Sequence, residues 1–246
     1  MIVSTTEVQN NFGKYLMIAA KEEVIVTRNG IEVARLQGVE RDSEATYQES
    51  TAREKSLPYH VKPKKATYEK FLELTRNEET RYEYIDGEIY LLASPRTGHQ
   101  YAVGTLFGLL FNYFQDSPCT PFTAPFDIHL KRPNDDTPCV VQPDLMVICD
   151  LDDHLNDQDY YTGVPSLVVE VLSESTQGKD LVKKLDLYME CGVQEYWVVD
   201  PSEKKAIIYH FQDHKIKQTT MCKPPEIAQS FLFEGLSVEL EGIFLS

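Results

Sequence analysis

Glu170 stands inside Leu167-Val168-Val169-Glu170-Val171-Leu172, an apolar, β-branched run without alternation, as expected of a strand covered on both faces. An ionised carboxylate there is costly unless it is paired or holds a cation. Farther on, Leu181, Val182, Leu185, Tyr188 and Met189 recur at helical spacing. At about 100° per residue, Lys184 falls on the flank of that apolar arc beside Tyr188 and can reach inward along the sheet, whereas Lys183 points into solvent. Asp180, one turn before Lys184 on the same side, is an i,i+4 partner that can steer it. A second acid, Asp144, directly follows Pro143 in another apolar run. Neighbouring strands would bring Asp144 and Glu170 to one sheet edge, where carboxylate oxygens suit a hard cation, Mg²⁺ or Mn²⁺. Such a cation lowers the pKa of bound water and neutralises a phosphate under attack, while an ammonium orients the water or balances charge. Taken singly, both acids also read as ordinary polar contacts at strand ends.

The elements that must position these groups follow from pattern. Ser173 to Gly178 breaks the strand and offers helix caps. A helix runs from about Lys179 to Met189, stopped at Cys191-Gly192, and Glu195 to Val199 is the next buried strand, closed by Asp200-Pro201. Upstream, Thr67 to Asn77 reads as a short helix capped by Thr67, with Tyr68, Phe71, Leu72 and Leu74 facing in. Arg81 to Ala93 is a hairpin around Asp86-Gly87. Its two-residue turn sets Glu83 opposite Tyr90, on one face with Ile85 and Glu88; Tyr82, Tyr84, Ile89 and Leu91 take the other. His99 to Phe114 is apolar enough for a central core helix, with His99 at its start as a cap, a core partner or a catalyst. Phe126 to Leu130 alternates as a half-buried strand, and Cys139 to Ile148 reads as one apolar strand containing Asp144. Asp150 to Tyr161 is an acidic loop. Ala206 to Phe211 is a strand, and short strand-like pieces lie near Phe231 and Leu236 to Leu240.

The series P-x-L-V-V-E-V-L-S, K-D, K, Y, G-V and E-Y-W-V-V-D-P between Pro165 and Pro201 resembles the Uma-two family of restriction endonucleases, a branch of the PD-(D/E)XK nuclease superfamily. The resemblance implies an α/β (α+β) restriction-endonuclease-like fold over residues 67–246, a mixed central sheet flanked by helices. It implies metal-dependent cleavage of DNA, with Asp144 of the Pro-Asp dipeptide and Glu170 as metal ligands. Where the superfamily carries its lysine, two residues after the acid, this chain has Leu172, and Lys184 from the following helix takes over. Glu83, in Y-E-Y-I-D-G-E, matches an early acid of the site and is a candidate additional ligand, directly or through water. The family tends to carry a histidine at the position of His99. Asp180 and Tyr188 are supporting residues. No Walker glycine loop, GxSxG elbow or HExxH helix supplies a rival site.

At the start of the chain, Ser4-Thr5-Thr6-Glu7 is a capping box, and Val8, Phe12, Tyr15, Leu16 and Ala19 follow at helical spacing, giving a helix over about 5–20. Val24 to Thr27 and Ile31 to Leu36 flank Arg28-Asn29-Gly30, a hairpin signal. Together these resemble the Phd/YefM antitoxin family, which implies that residues 1–38 form a DNA-binding and dimerisation module, with Lys14 and Arg28 as candidate DNA contacts and a cognate toxin as candidate partner. About forty residues cannot stabilise themselves by a private core, so a homodimer is expected. The module reads equally as a docking element that does not touch DNA. Residues 39–66, poor in apolar side chains, form a linker.

The 246 residues carry net charge −15. Residues 67–246 hold fourteen basic and thirty acidic groups, or −16, a surface that repels phosphate backbone over long range. Five cysteines, odd in number and without a CxxC pair, read as reduced thiols of a cytoplasmic protein. No signal peptide or membrane-length apolar run is present. Two functions follow: a metal-dependent DNA endonuclease, or a DNA-binding autoregulator or antitoxin whose nuclease-like part is an inert scaffold.

Overall fold

The structure, a computed structural model, describes residues 1–4, 7, 8, 15, 18, 19, 23–28, 31–37, 64–76, 80–133, 135–173 and 178–245. The chain forms two compact units, Met1–His60 and Val61–Ser246.

In the first unit, β1 (Ile2–Ser4) pairs parallel with β2 (Val24–Arg28), and β2 pairs antiparallel with β3 (Ile31–Leu36). Val3, Val8, Tyr15, Ala19, Val24 and Val26 make a small core. The two hairpin strands are those the sequence predicts. Most of the expected helix over 5–20, the Asn29-Gly30 turn, Lys14 and residues 39–63 lie outside the described residues.

The second unit is mixed α+β, built on two larger sheets and a small one. The first is antiparallel, in the order β4 (Lys64–Lys65), β6 (Glu88–Leu91), β5 (Tyr82–Ile85), β9 (Cys139–Val141), β8 (Ile128–Leu130). Lys64–Lys65, at the end of the segment read as a linker, therefore belong to a sheet. The second runs β14 (Lys215–Cys222), β13 (Lys205–Gln212), β12 (Glu195–Asp200), β11 (Leu167–Val171), β10 (Leu145–Ile148), β7 (Thr120–Thr123). Only its β11/β12 pair is parallel. A two-stranded piece, β15 (Ile227–Gln229) with β16 (Ser237–Glu239), follows.

Every residue of β11 and β12 is buried, which explains their unalternating composition. One face of the six-stranded sheet, with Leu145, Val147, Val169 and Trp197, packs on Leu106 and Leu110 of α2 (Thr97–Tyr113). The other, with Met146, Val168, Tyr196 and Val198, packs on Leu187, Tyr188 and Met189 of α4 (Leu185–Cys191), and on Ile85 and Val141 of the five-stranded sheet. Gly192, at φ 94°, ends α4 in the left-handed region that favours glycine. Helix α1 (Tyr68–Thr75) is capped as expected, the Thr67 hydroxyl accepting the Lys70 N–H.

Five expectations need correction. Cys139 to Ile148 is not one strand: Pro143, with no N–H to donate, lies where the chain leaves β9 in one sheet and enters β10 in the other. Leu72 does not face in but is 41% exposed, and α2 presents Tyr101, Leu109, Phe111 and Tyr113 outward, so it covers the sheet with one stripe. Asp150 to Tyr161 contains a short helix, α3 (Leu151–His154), and a Leu155–Tyr161 bridge. Cys119 and Cys149 are joined as a disulfide, leaving Cys139, Cys191 and Cys222 as thiols. The β7/β10 register sets Ile148 opposite Thr120, so the next residues of the two strands, Cys149 and Cys119, meet. No helix among the described residues is long and apolar enough to cross a membrane.

Candidate functional site

Strand register brings the two acids together. Leu145 lies opposite Val169 across β10 and β11, so one step outward Asp144 stands opposite Glu170. Asp144 is held there by two groups on one oxygen: the Val171 N–H donates to Oδ2 at 2.8 Å, and His99 Nε2 lies 3.1 Å from the same atom. His99 comes from the first turn of α2, which the sheet's apolar face anchors. With a side chain 20% exposed, Asp144 is the most open acid of the group.

Lys184 reaches Glu170 from the helical segment that follows β11. The helix opens with π-type turns over Lys179–Lys184 before continuing as α4; such turns are frequent at functional sites. The Lys184 ammonium bonds Glu170 Oε1 at 2.7 Å and Glu83 Oε1 at 2.8 Å, and stands 3.7 Å from Asp180 Oδ1. It is 2% exposed. The Tyr188 hydroxyl, one turn later, donates to Glu170 Oε1 at 2.7 Å. Glu83, from β5, has no exposed surface. Its Oε1 also accepts the Gln142 N–H at 3.0 Å, and its Oε2 pairs with Lys179.

Burial and charge set the protonation of this cluster. Desolvation pushes the Glu170 carboxyl up; Lys184 opposes this, and the charges of Asp180, Asp144 and Glu83 add to it, leaving Glu170 at about 8. Desolvation acts the same way on Glu83, but the combined pull of Lys184 and Lys179 reverses it and holds that carboxyl at about 2. Burial works against a charged Lys184, yet Glu170, Glu83 and Asp180 keep it well above the ordinary lysine value. Burial lowers His99, while the bond to Asp144 and its charge raise it further, for a net rise.

Glu83, Glu170, Asp180, Lys184 and Tyr188 thus converge, with Asp144 and His99 adjoining them. Arg28 lies in the other unit, opposite Ile31 at the end of β2. Lys183 is not simply solvated: it pairs with Glu88 and sits 5.4 Å from the Tyr90 ring centroid. Sequence reasoning missed Lys179. At 100° per residue it lies far around a helix from Lys184, and only i,i+5 turns of the π type bring residues five apart over one another. It missed the Gln142 N–H as well, a backbone group with no residue signature. Among the described residues, no group of three or more His, Cys, Asp or Glu side chains is arranged to hold a metal ion; an ammonium lies between Glu83 and Glu170. The donor chemistry of Asp144 and Glu170 nonetheless suits a hard divalent cation.

Known proteins share this chain's pattern and fold. A protein of Synechocystis described as "Uncharacterized protein slr1290" is 29% identical over 150 residues, covering 61% of this chain and 76% of that one. A solved structure from Anabaena variabilis, described as "a putative nuclease belonging to DUF820", superposes with a TM-score of 0.58 at 18% identity, over 72% of this chain and 96% of that one. It shares the fold. The Uma2 family, described as "Putative restriction endonuclease", matches residues 68–241, the greater part of the chain and all of the cluster around Glu170. The chain belongs to the Uma2 family.

Proposed function

We propose that the chain is a metal-dependent endonuclease that hydrolyses DNA phosphodiester bonds. The observation that carries this is the meeting of Asp144, Glu170 and Lys184, residues far apart in sequence, at one end of the β10/β11 pair. Asp144 and Glu170 would hold Mg²⁺ or Mn²⁺, which when bound supplies an activated water and neutralises the scissile phosphate. Asp144, the most open acid, faces the substrate. His99 and the Val171 N–H keep its carboxylate aligned. Lys184 supplies positive charge beside the phosphate, and Tyr188 fixes the Glu170 carboxyl. Asp180 steers Lys184, and Glu83 completes the cluster. Residues 1–38, an antitoxin-like module, mediate homodimerisation and bring DNA to the nuclease unit, with Lys14 and Arg28 as contacts and a cognate toxin as further partner.

The test is cleavage of supercoiled, linear and single-stranded DNA by purified protein with Mg²⁺ or Mn²⁺. The Asp144→Ala, Glu170→Ala double variant sets the background, and activity no greater than that background would end the proposal. Light scattering at micromolar concentration tests the dimer: a strictly monomeric species removes it.

The net charge of −15 and the ammonium on Glu170 favour a second reading, a DNA-binding autoregulator or antitoxin with an inert scaffold. Metal-free electrophoretic shift of its own promoter DNA, unchanged by the double alanine substitution, would support it over cleavage.

A further inference from the structure

Glu83 and Glu170 share one ammonium but are otherwise unlike. Both oxygens of Glu83 are engaged: Oε1 by the Gln142 N–H at 3.0 Å and Lys184 at 2.8 Å, Oε2 by Lys179. Glu170 receives its two described side-chain bonds, from Lys184 and Tyr188, on Oε1. Gln142 stands two residues before Asp144, so Glu83 ties the backbone leading into Asp144 to both lysines. A cation taking Glu83 as a ligand would have to displace an ammonium and disturb that turn. A cation taking Glu170 beside Asp144 would displace Lys184 from Glu170 alone.

Like charges in a buried site repel strongly, so a divalent ion arriving at Glu170 loosens Lys184 from it. Lys184 already bonds Glu83, and Asp180 lies 3.7 Å away, so it keeps carboxylate partners when it leaves Glu170. Resting on the endonuclease reading of Asp144 and Glu170, we propose that Glu83 is a positioning residue rather than a metal ligand: it retains Lys184 while Glu170 exchanges the ammonium for a divalent cation. Lys184 is then the cation's competitor before binding and its neighbour afterwards.

The experiment is Mn²⁺ binding to the full-length protein by isothermal titration calorimetry, without DNA. Lys184→Met removes the competitor, and affinity for Mn²⁺ should rise about tenfold or more. Adding Glu83→Gln in that background should change affinity by less than about threefold, because Glu83 gives the cation no ligand oxygen and the glutamine keeps an acceptor for the Gln142 N–H. A ligand role instead predicts a further fall of about 10–100-fold, which would overturn the proposal. Lys184→Met leaves two buried carboxylates without their ammonium; if it does not fold, the charge-balanced Glu83→Gln, Lys184→Met protein is compared with wild type. Tighter Mn²⁺ binding supports the exchange and weaker binding overturns it, as does absence of binding in every variant. Plasmid cleavage by wild-type protein is scored separately, so the Mn²⁺ pattern without cleavage would remove the endonuclease reading and leave the exchange standing.

Discussion

The backbone N–H of Val171 donates to Oδ2 of Asp144 at 2.8 Å, which locks the orientation of one acid to the strand that carries the other. An Asp144→Asn side chain can still accept that bond through its amide oxygen but carries no charge. DNA cleavage with Mn²⁺ should fall about 100-fold or more, with near-ultraviolet circular dichroism unchanged. A rate within about threefold of wild type would take Asp144 out of the reaction.

Glu170 gives the fold a pH dependence of defined sign. Its carboxyl is raised from 4.5 to about 8 in the folded chain, so across that interval the folded state binds more protons than the unfolded state. Stability from this group is complete below about pH 4.5 and is lost as pH rises through about 8, by at most about 1.4 kcal/mol per pH unit. Glu83, held at about 2, acts oppositely: its contribution is present above about 4.5 and lost as pH falls toward 2. Thermal denaturation between pH 5 and 8 should show the melting temperature declining more steeply in wild type than in Glu170→Gln, whose remaining decline comes from His99. Parallel curves for the two proteins would contradict the assignment.

Local chemistry made some of the site legible. Asp86-Gly87 demands a two-residue hairpin turn, and that turn alone places Glu83 opposite Tyr90. Helical phase turned Lys184 inward and put Asp180 within reach of it. The company Glu83 keeps was hidden, because Lys179, Lys184 and Gln142 reach it from other elements. An apolar run reads the same whether or not it changes sheets, so Pro143 was the single sign that β9 and β10 are separate. Asp213 and His214 turn β13 into β14 at φ 52° and 58° without a glycine, leaving no hairpin signal. Apolar residues on α2 looked like core because hydrophobicity does not forbid exposure.

His99 should act through Asp144 and in a pH window of its own. Burial lowers the imidazole, but the bond and charge of Asp144, the charge of Asp180 and the Val171 backbone together raise it above its ordinary value of 6.5. The stabilisation is therefore full below about pH 6.5 and lost as pH rises through the folded value. His99→Ala should cost more stability in urea unfolding at pH 6 than at pH 9; a larger loss at pH 9 would show that the ring is held in its neutral form.

Glu195 separates a buried acid that supports the fold from one that supports chemistry. It has no exposed surface. Its Oε1 accepts the Trp197 indole N–H at 2.6 Å, and its Oε2 accepts the N–H groups of Phe231 at 2.6 Å and Leu232 at 2.9 Å. These bonds clamp the segment after β15 to β12 and present no ammonium or open carboxylate oxygen for a cation to exchange with. Glu195→Ala leaves the Trp197 indole and the Phe231 N–H without their acceptor and the Leu232 N–H with the Ser230 hydroxyl alone, which should lower the unfolding free energy by about 2–4 kcal/mol in urea titration. Mn²⁺ affinity and cleavage per folded molecule should remain within about twofold of wild type. A stable Glu195→Ala protein with weakened Mn²⁺ binding would place the cation near Glu195 and away from Glu170.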